Sequence, residues 1–138
     1  MQQVIDTLSF DTSGEGFIDI TGDIAAWLHE IGADEGLLTL LLQHTSASLT
    51  IQENADPTVL HDLLAALGRL APRAHPYRHH TEGPDDMPAH IRGMLTGVNL
   101  NIPVQGGKMM LGTWQALYVI EHRARPHQRA LALHYIGY

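Results

Sequence analysis

The chain has 138 residues, which fits one domain and leaves little room for two. Asp plus Glu number 15 against 8 Lys plus Arg, a formal charge of −7, so binding driven by phosphate contacts to nucleic acid or by an anionic membrane face is not expected. With no cysteine, disulfides, thiolate zinc sites, iron–sulfur clusters and Cys nucleophiles are excluded. The anomaly is ten histidines.

Residues 2–10 read as a strand with Val4, Leu8 and Phe10 on one side, and 17–20 as a second, short strand. Ile24, Trp27, Leu28 and Ile31 fall at helical spacing, predicting a helix over 22–31 with Thr21 as its cap and Gly32 at its end. Leu37 to Gln43 is a buried-strand pattern, and 47–51 continues extended. Asp56-Pro57 starts a helix whose stripe is Val59, Leu60, Leu63, Leu64, Leu67 and Leu70. Residues 71–86 form a long Pro- and His-bearing loop, a length that points to function. Asp86 is placed as the cap of a short helix over 87–95. Val98 to Val104 alternates as a strand, with Pro103 near an edge or end. Gln105 to Lys108 is a hairpin turn, Met109 to His122 one long β segment, 123–128 a turn, and Leu131, Leu133 and Tyr135 mark the last strand. Met87, Met94, Met109 and Met110 read as core filler. The order predicts a single α+β domain over 1–138, an antiparallel β-sandwich with flanking helices.

No apolar run is long enough to span a bilayer, and Met1-Gln2-Gln3-Val4 lacks a signal peptide's basic start, so a cytoplasmic protein is expected. There is no GxGxxG, P-loop, HExxH or GxSxG. Chemistry must come from His, carboxylates and hydroxyls, and four segments supply them. Gln43 to Ser48 sets His44 beside Thr45, Ser46 and Ser48 at a strand end, where imidazole binds metal and hydroxyls hold phosphate, or where hydroxyls merely satisfy a turn. Glu53 and Asn54 precede the Asp56 cap and are free to act as base or ligand. The 75–90 segment holds His79, His80, Glu82, Asp85, Asp86 and His90. Asp86 and His90 stand one helical turn apart, and His with carboxylate suits a divalent metal. In the last segment His122 ends an apolar strand face, and Glu121 with Arg123 reads equally as a surface ion pair. His29 and His61 fall off their helix stripes and are expected to be exposed.

Together the strings Gln43-His44-Thr45-Ser46-Ala47-Ser48-Leu49-Thr50, Glu53-Asn54-Ala55-Asp56-Pro57, Glu82-Gly83-Pro84-Asp85-Asp86-Met87-Pro88-Ala89-His90-Ile91, Gly112-Thr113-Trp114-Gln115 and Glu121-His122-Arg123 resemble the YjbQ-like family, also called the secondary thiamine-phosphate synthase enzyme family. The resemblance covers nearly the whole chain in the same order. It implies a homotrimer and a polar site built from His44, His79, His90 and His122, where His44, His90 and His122 are expected as metal ligands with His79 as a fourth. On an enzymatic reading of that site, Glu53, Asp86 and Gln115 are expected in catalysis, and Thr45, Ser46, Ser48, Asn54, Trp114 and Arg123 in holding substrate and phosphate. The cofactor expected is a divalent metal, zinc first, or magnesium or manganese carried with a substrate diphosphate. The partner expected is a small phosphorylated metabolite. The reaction implied joins hydroxymethylpyrimidine diphosphate to thiazole phosphate; the alternatives are a metal-dependent phosphate-ester hydrolase and a non-catalytic trimeric module that binds a metabolite or metal. The chain departs from the family pattern at Pro126-His127-Gln128-Arg129, at Gly93-Met94 and at its Ile136-Gly137-Tyr138 end, which bears on substrate choice.

Overall fold

Short strands, some alternating as in β8 and some mostly apolar as in β3, pair into two antiparallel sheets that close on one core. The computed structural model describes residues 1–138 and has eight strands and three helices. β1 (Gln2–Asp11), β8 (Gln128–Gly137), β3 (Gly36–Leu42), β5 (Asn99–Gln105) and β6 (Lys108–Met109) form a five-stranded sheet in that order. β2 (Gly16–Asp19), β7 (Gln115–Glu121) and β4 (Ala47–Glu53) form a three-stranded sheet. Leu38, Leu40 and Leu42 of β3, Leu131, Leu133 and Tyr135 of β8, and Leu117 and Val119 of β7 meet in a 17-residue core. The result is an α+β sandwich-like fold, as expected. The β5–β6 turn places Gly106 at φ +59° and Gly107 at φ +73°, the left-handed pair that a two-residue hairpin requires.

The expected single β segment over 109–122 is two. β6 ends at Met109, the chain crosses between sheets over 110–114, and β7 begins at Gln115. The crossing is closed by Gln115 N–H donating to Gly112 O at 3.1 Å and by Gly112 N–H donating to Gln115 Oε1 at 2.7 Å. That exit to solvent also corrects the reading of Met110 as core filler, and Met94, at the end of a helix, is 84% exposed.

α1 (Thr21–Glu30) buries Ile24, Trp27 and Leu28. Thr21 is inside the helix rather than its cap, because its Oγ1 accepts instead from the Leu117 N–H at 2.9 Å. α2 (Pro57–Leu70) is capped by Asp56, which accepts from Thr58 N–H at 2.9 Å. Its stripe packs only half-buried beside β4. α3 (Asp86–Thr96) begins with Asp86 itself; Asp85 precedes it, and neither side chain caps the helix backbone. Both carboxylates are engaged elsewhere, which is the origin of the site.

Candidate metal centre

The 71–85 loop and the start of α3 carry the His and Asp side chains to the Glu121 end of the three-stranded sheet. His79 Nε2 lies 2.6 Å and His90 Nε2 3.2 Å from the same oxygen, Asp86 Oδ2. The two rings meet edge to face, with centroids 5.4 Å apart. Asp86 is buried, whereas the His79 and His90 side chains are 43% and 36% exposed. The donor set is therefore a buried carboxylate with two imidazoles that solvent can reach.

Arg123 fixes this carboxylate from behind. Its Nη1 donates to Asp86 Oδ1 at 2.8 Å, its Nε to Asp85 Oδ2 at 2.9 Å, and its Nη2 to the Glu82 carbonyl at 2.9 Å. Ala124 N–H also donates to Asp85 Oδ2, at 2.9 Å. The loop and the end of β7 are thereby tied together. Burial alone would raise the Asp86 carboxyl; the His79 hydrogen bond and the Arg123 charge outweigh it and hold it below its ordinary value. For Asp85, too, burial is outweighed, by Arg123 and the Ala124 N–H, and its carboxyl is lowered to about 2. Gly83 lies at φ +106°, and a Cβ there would stand 3.1 Å from Asp85 Oδ1, so the loop needs glycine at this point.

His79, Asp86 and His90 offer three ligand atoms within 4.8 Å of one another. Two ligands on one tetrahedral ion stand about 3.4 Å apart, so seating an ion needs His79 to retreat by under about 1 Å. Mixed nitrogen and oxygen donors suit zinc, manganese or iron. Arg123 stands where an orienting group behind a ligating carboxylate is expected.

The structure separates the remaining sequence candidates. His44 Nε2 accepts from the Ala130 N–H at 2.8 Å, and Arg129 Nη1 lies 3.4 Å from its Nδ1. Burial first, then the Arg129 charge, lowers its pKa. His122 is buried, with Nε2 2.8 Å from Ser48 Oγ, and Ser48 is 2.6 Å from Thr96 Oγ1. Burial, with the charges of Arg92 and Arg129, pushes His122 down to about 4. Neither His44 nor His122 stands in the His79–Asp86–His90 cluster. Ser46 Oγ accepts from Arg129 Nη2 at 3.0 Å, while Thr45 is exposed beside His90.

Glu53, Asn54, Trp114 and Gln115 lie at the opposite end of the three-stranded sheet. Glu53 pairs with Gln115 and Ala47 with Glu121, so the two ends are six residues, about 20 Å, apart. Glu53 Oε2 accepts from Ala55 N–H at 3.2 Å, Asn54 Nδ2 donates to Thr113 O at 3.0 Å, and Trp114 is 65% exposed.

The reading of Glu121 and Arg123 as a surface pair is corrected. Glu121 is fully buried and takes two hydrogen bonds of 2.6 Å from Arg129, while Arg123 turns to the aspartates. Two residues apart on an extended chain, they share a face, yet each finds a partner on another segment. Sequence reasoning also missed the Glu15 clamp on Arg73 (2.7 Å) and Arg92 (3.0 Å), which ties α3 to the turn before β2. Sequence separations of 58 and 77 leave no local signal for such pairs.

Fold and site define an α+β sandwich protein with a carboxylate-centred His–Asp–His cluster at the mouth of a helix. The model of the family described as UPF0047 protein YjbQ-like matches residues 6–138, and the chain belongs to that family. It is 48% identical over 127 residues to the UPF0047 protein sll1880 of Synechocystis sp., covering 91% of this chain and 86% of that one. It is 43% identical over 126 residues to the UPF0047 protein YjbQ of Escherichia coli O157:H7, covering 91% of each. The crystal structure of the protein TT1486 from Thermus thermophilus superposes with a TM-score of 0.84 at 39% identity, covering 93% of this chain and 97% of that one.

Proposed function

We propose that this protein is a metal-dependent enzyme acting on phosphorylated small molecules, with the thiamine-phosphate synthase-like condensation as its leading reaction. The observation that carries the reading is the convergence of His79 and His90 on one oxygen of a buried aspartate whose other oxygen is held by Arg123. His79, Asp86 and His90 would hold a divalent ion, zinc first, or manganese or magnesium with a diphosphate, which would supply charge stabilisation for a departing diphosphate.

The chain's own part is orientation. Arg123, itself held by Asp85, keeps Asp86 in place with its Oδ2 facing both imidazoles. Arg123 acts on substrate indirectly here, since three of its N–H groups are committed to the 82–86 loop. For Glu53, Asn54, Trp114 and Gln115 to join this chemistry, a neighbouring copy must bring them. The outer face of the five-stranded sheet supports self-association, as in the expected homotrimer: Ile5, Leu37, Leu41 and Ile136 are all exposed on it.

Hydrolysis of a phosphate ester is the second reading, favoured by the solvent access of both histidines. The test is an assay of metal-loaded, tag-free protein with the pyrimidine diphosphate and the thiazole phosphate. Thiamine phosphate forming in wild type and lost in His90→Ala supports the condensation. Phosphate released from a single ester without the thiazole partner supports hydrolysis. Neither product, with any divalent metal, refutes the enzymatic reading.

A further inference from the structure

The His79–Asp86–His90 cluster divides two recesses of opposite character. On the His90 side, a groove of about 440 Å3 runs along α3, lined by Thr45, Met87, His90, Ile91, Met94 and Val98. His44 also borders it, but its Nε2 is occupied by the Ala130 N–H. No Asp, Glu, Lys or Arg lines this groove. On the His79 side, a recess of about 360 Å3 is lined by Arg73, His75, Tyr77, His79 and His80, with no carboxylate in its wall. Arg73 is fixed there by Glu15 at 2.7 Å, and Glu15 is itself anchored to the buried Arg92 at 3.0 Å.

We propose that the two recesses divide one substrate: the phosphate sits in the His79 recess against Arg73, and an uncharged ring or alkyl group sits in the His90 groove. The bond between them then lies at the cluster. The substrate class is a phosphate ester of an uncharged organic group, and Met94 is a specificity-determining residue. This deepens the metal-dependent reading above and rests on it.

The lining of the two recesses favours this orientation. A phosphate placed in the groove would lose its hydration without a cation to replace it. An apolar ring placed against Arg73 and three histidines would gain little burial. The groove's volume is in the range of small-molecule sites, about 300–1,000 Å3. Met94, 84% exposed at the groove, is an adaptable side chain suited to cover an aromatic face.

The test uses phenyl phosphate and inorganic phosphate as probes, titrated calorimetrically into tag-free wild type, Met94→Glu and Arg73→Gln, with and without manganese. Both substitutions fall on exposed side chains that the core does not need. Wild type should bind phenyl phosphate at least about tenfold tighter than phosphate. In Met94→Glu that ratio should collapse to within about twofold. In Arg73→Gln both affinities should drop together, about tenfold, with the ratio kept. A wild-type ratio near unity, a ratio unchanged in Met94→Glu, or no binding of either probe at millimolar concentration overturns the proposal. Manganese titrated alone reports on the metal separately. Manganese binding with a ratio of unity sinks the divided substrate and spares the metal site. The expected ratios without manganese binding do the reverse.

Discussion

The Glu121–Arg129 pair gives the sharpest energetic test of this fold. Glu121 is 0% exposed and Arg129 3% exposed, and two hydrogen bonds of 2.6 Å join them. Glu121→Leu leaves a guanidinium buried and uncompensated, a defect that costs about 3–5 kcal/mol. With roughly 2.1 cal/mol/K of unfolding entropy per residue, a chain of 138 residues loses about 10–17 °C in Tm for that cost. Glu121→Gln keeps one acceptor and removes only the charge, so it should cost less, about 1.5–3 kcal/mol. Arg129→Leu leaves the buried carboxylate with only His127 Nδ1, 3.3 Å from Oε1, and also frees Ser46 O and Oγ, which Arg129 Nη2 holds at 3.2 and 3.0 Å. The double Leu variant removes both charges, and its cost should fall well below the sum of the singles. Urea unfolding followed by far-UV circular dichroism at pH 7 measures all four. Single variants costing under about 1 kcal/mol, or single costs that simply add, would refute the argument that the pair is sealed from water and mutually dependent.

Four further outcomes follow from the same geometry. His122 is pushed down to about 4 from 6.5 by burial, so the unfolded chain takes a proton that the native chain refuses, and stability falls as pH drops from 6.5 toward 4. The loss is about 3 kcal/mol, and His122→Gln should flatten the slope of stability against pH in that window by about one proton. Gly83→Ala, forced to φ +106° with its Cβ 3.1 Å from Asp85 Oδ1, should cost over about 1 kcal/mol in thermal unfolding and weaken metal binding together. Asp86→Asn should keep the fold, read by circular dichroism, and lose at least about 100-fold in divalent-metal affinity, read by calorimetry. Leu41→Asp, on the exposed face of β3, should lower the assembly state seen by light scattering, if that face joins copies of the chain.

The fold was legible where a period was. β5 and β8 alternate, β3 stands out as a short apolar run, and Asp56-Pro57 marks α2 by capping chemistry that the structure keeps. It failed where side chains answer to distant partners. Thr21 and Asp86 look like caps because cap propensity is a local property. One is taken by Leu117 and the other by two histidines and an arginine. The run from Met109 to His122 is rich in Trp, Tyr, Val and Ile, which reads as continuous strand, and only Gly112-Thr113 interrupts it where residues 110–114 change sheets. Asp86 and His90 were legible at the site from their i, i+4 spacing, and His79 from the long loop together with the family pattern. The roles of Asp85 and Arg123 were not, because their contact spans 38 residues.

The central claim is that His79, Asp86 and His90 form a metal centre. Elemental mass spectrometry of tag-free protein, incubated with zinc or manganese and then dialysed, tests it most directly. Wild type should retain about one ion per chain, and both Asp86→Asn and His90→Ala should lose it while staying folded. Equal metal in wild type and the two variants, or none in any of them, would contradict it.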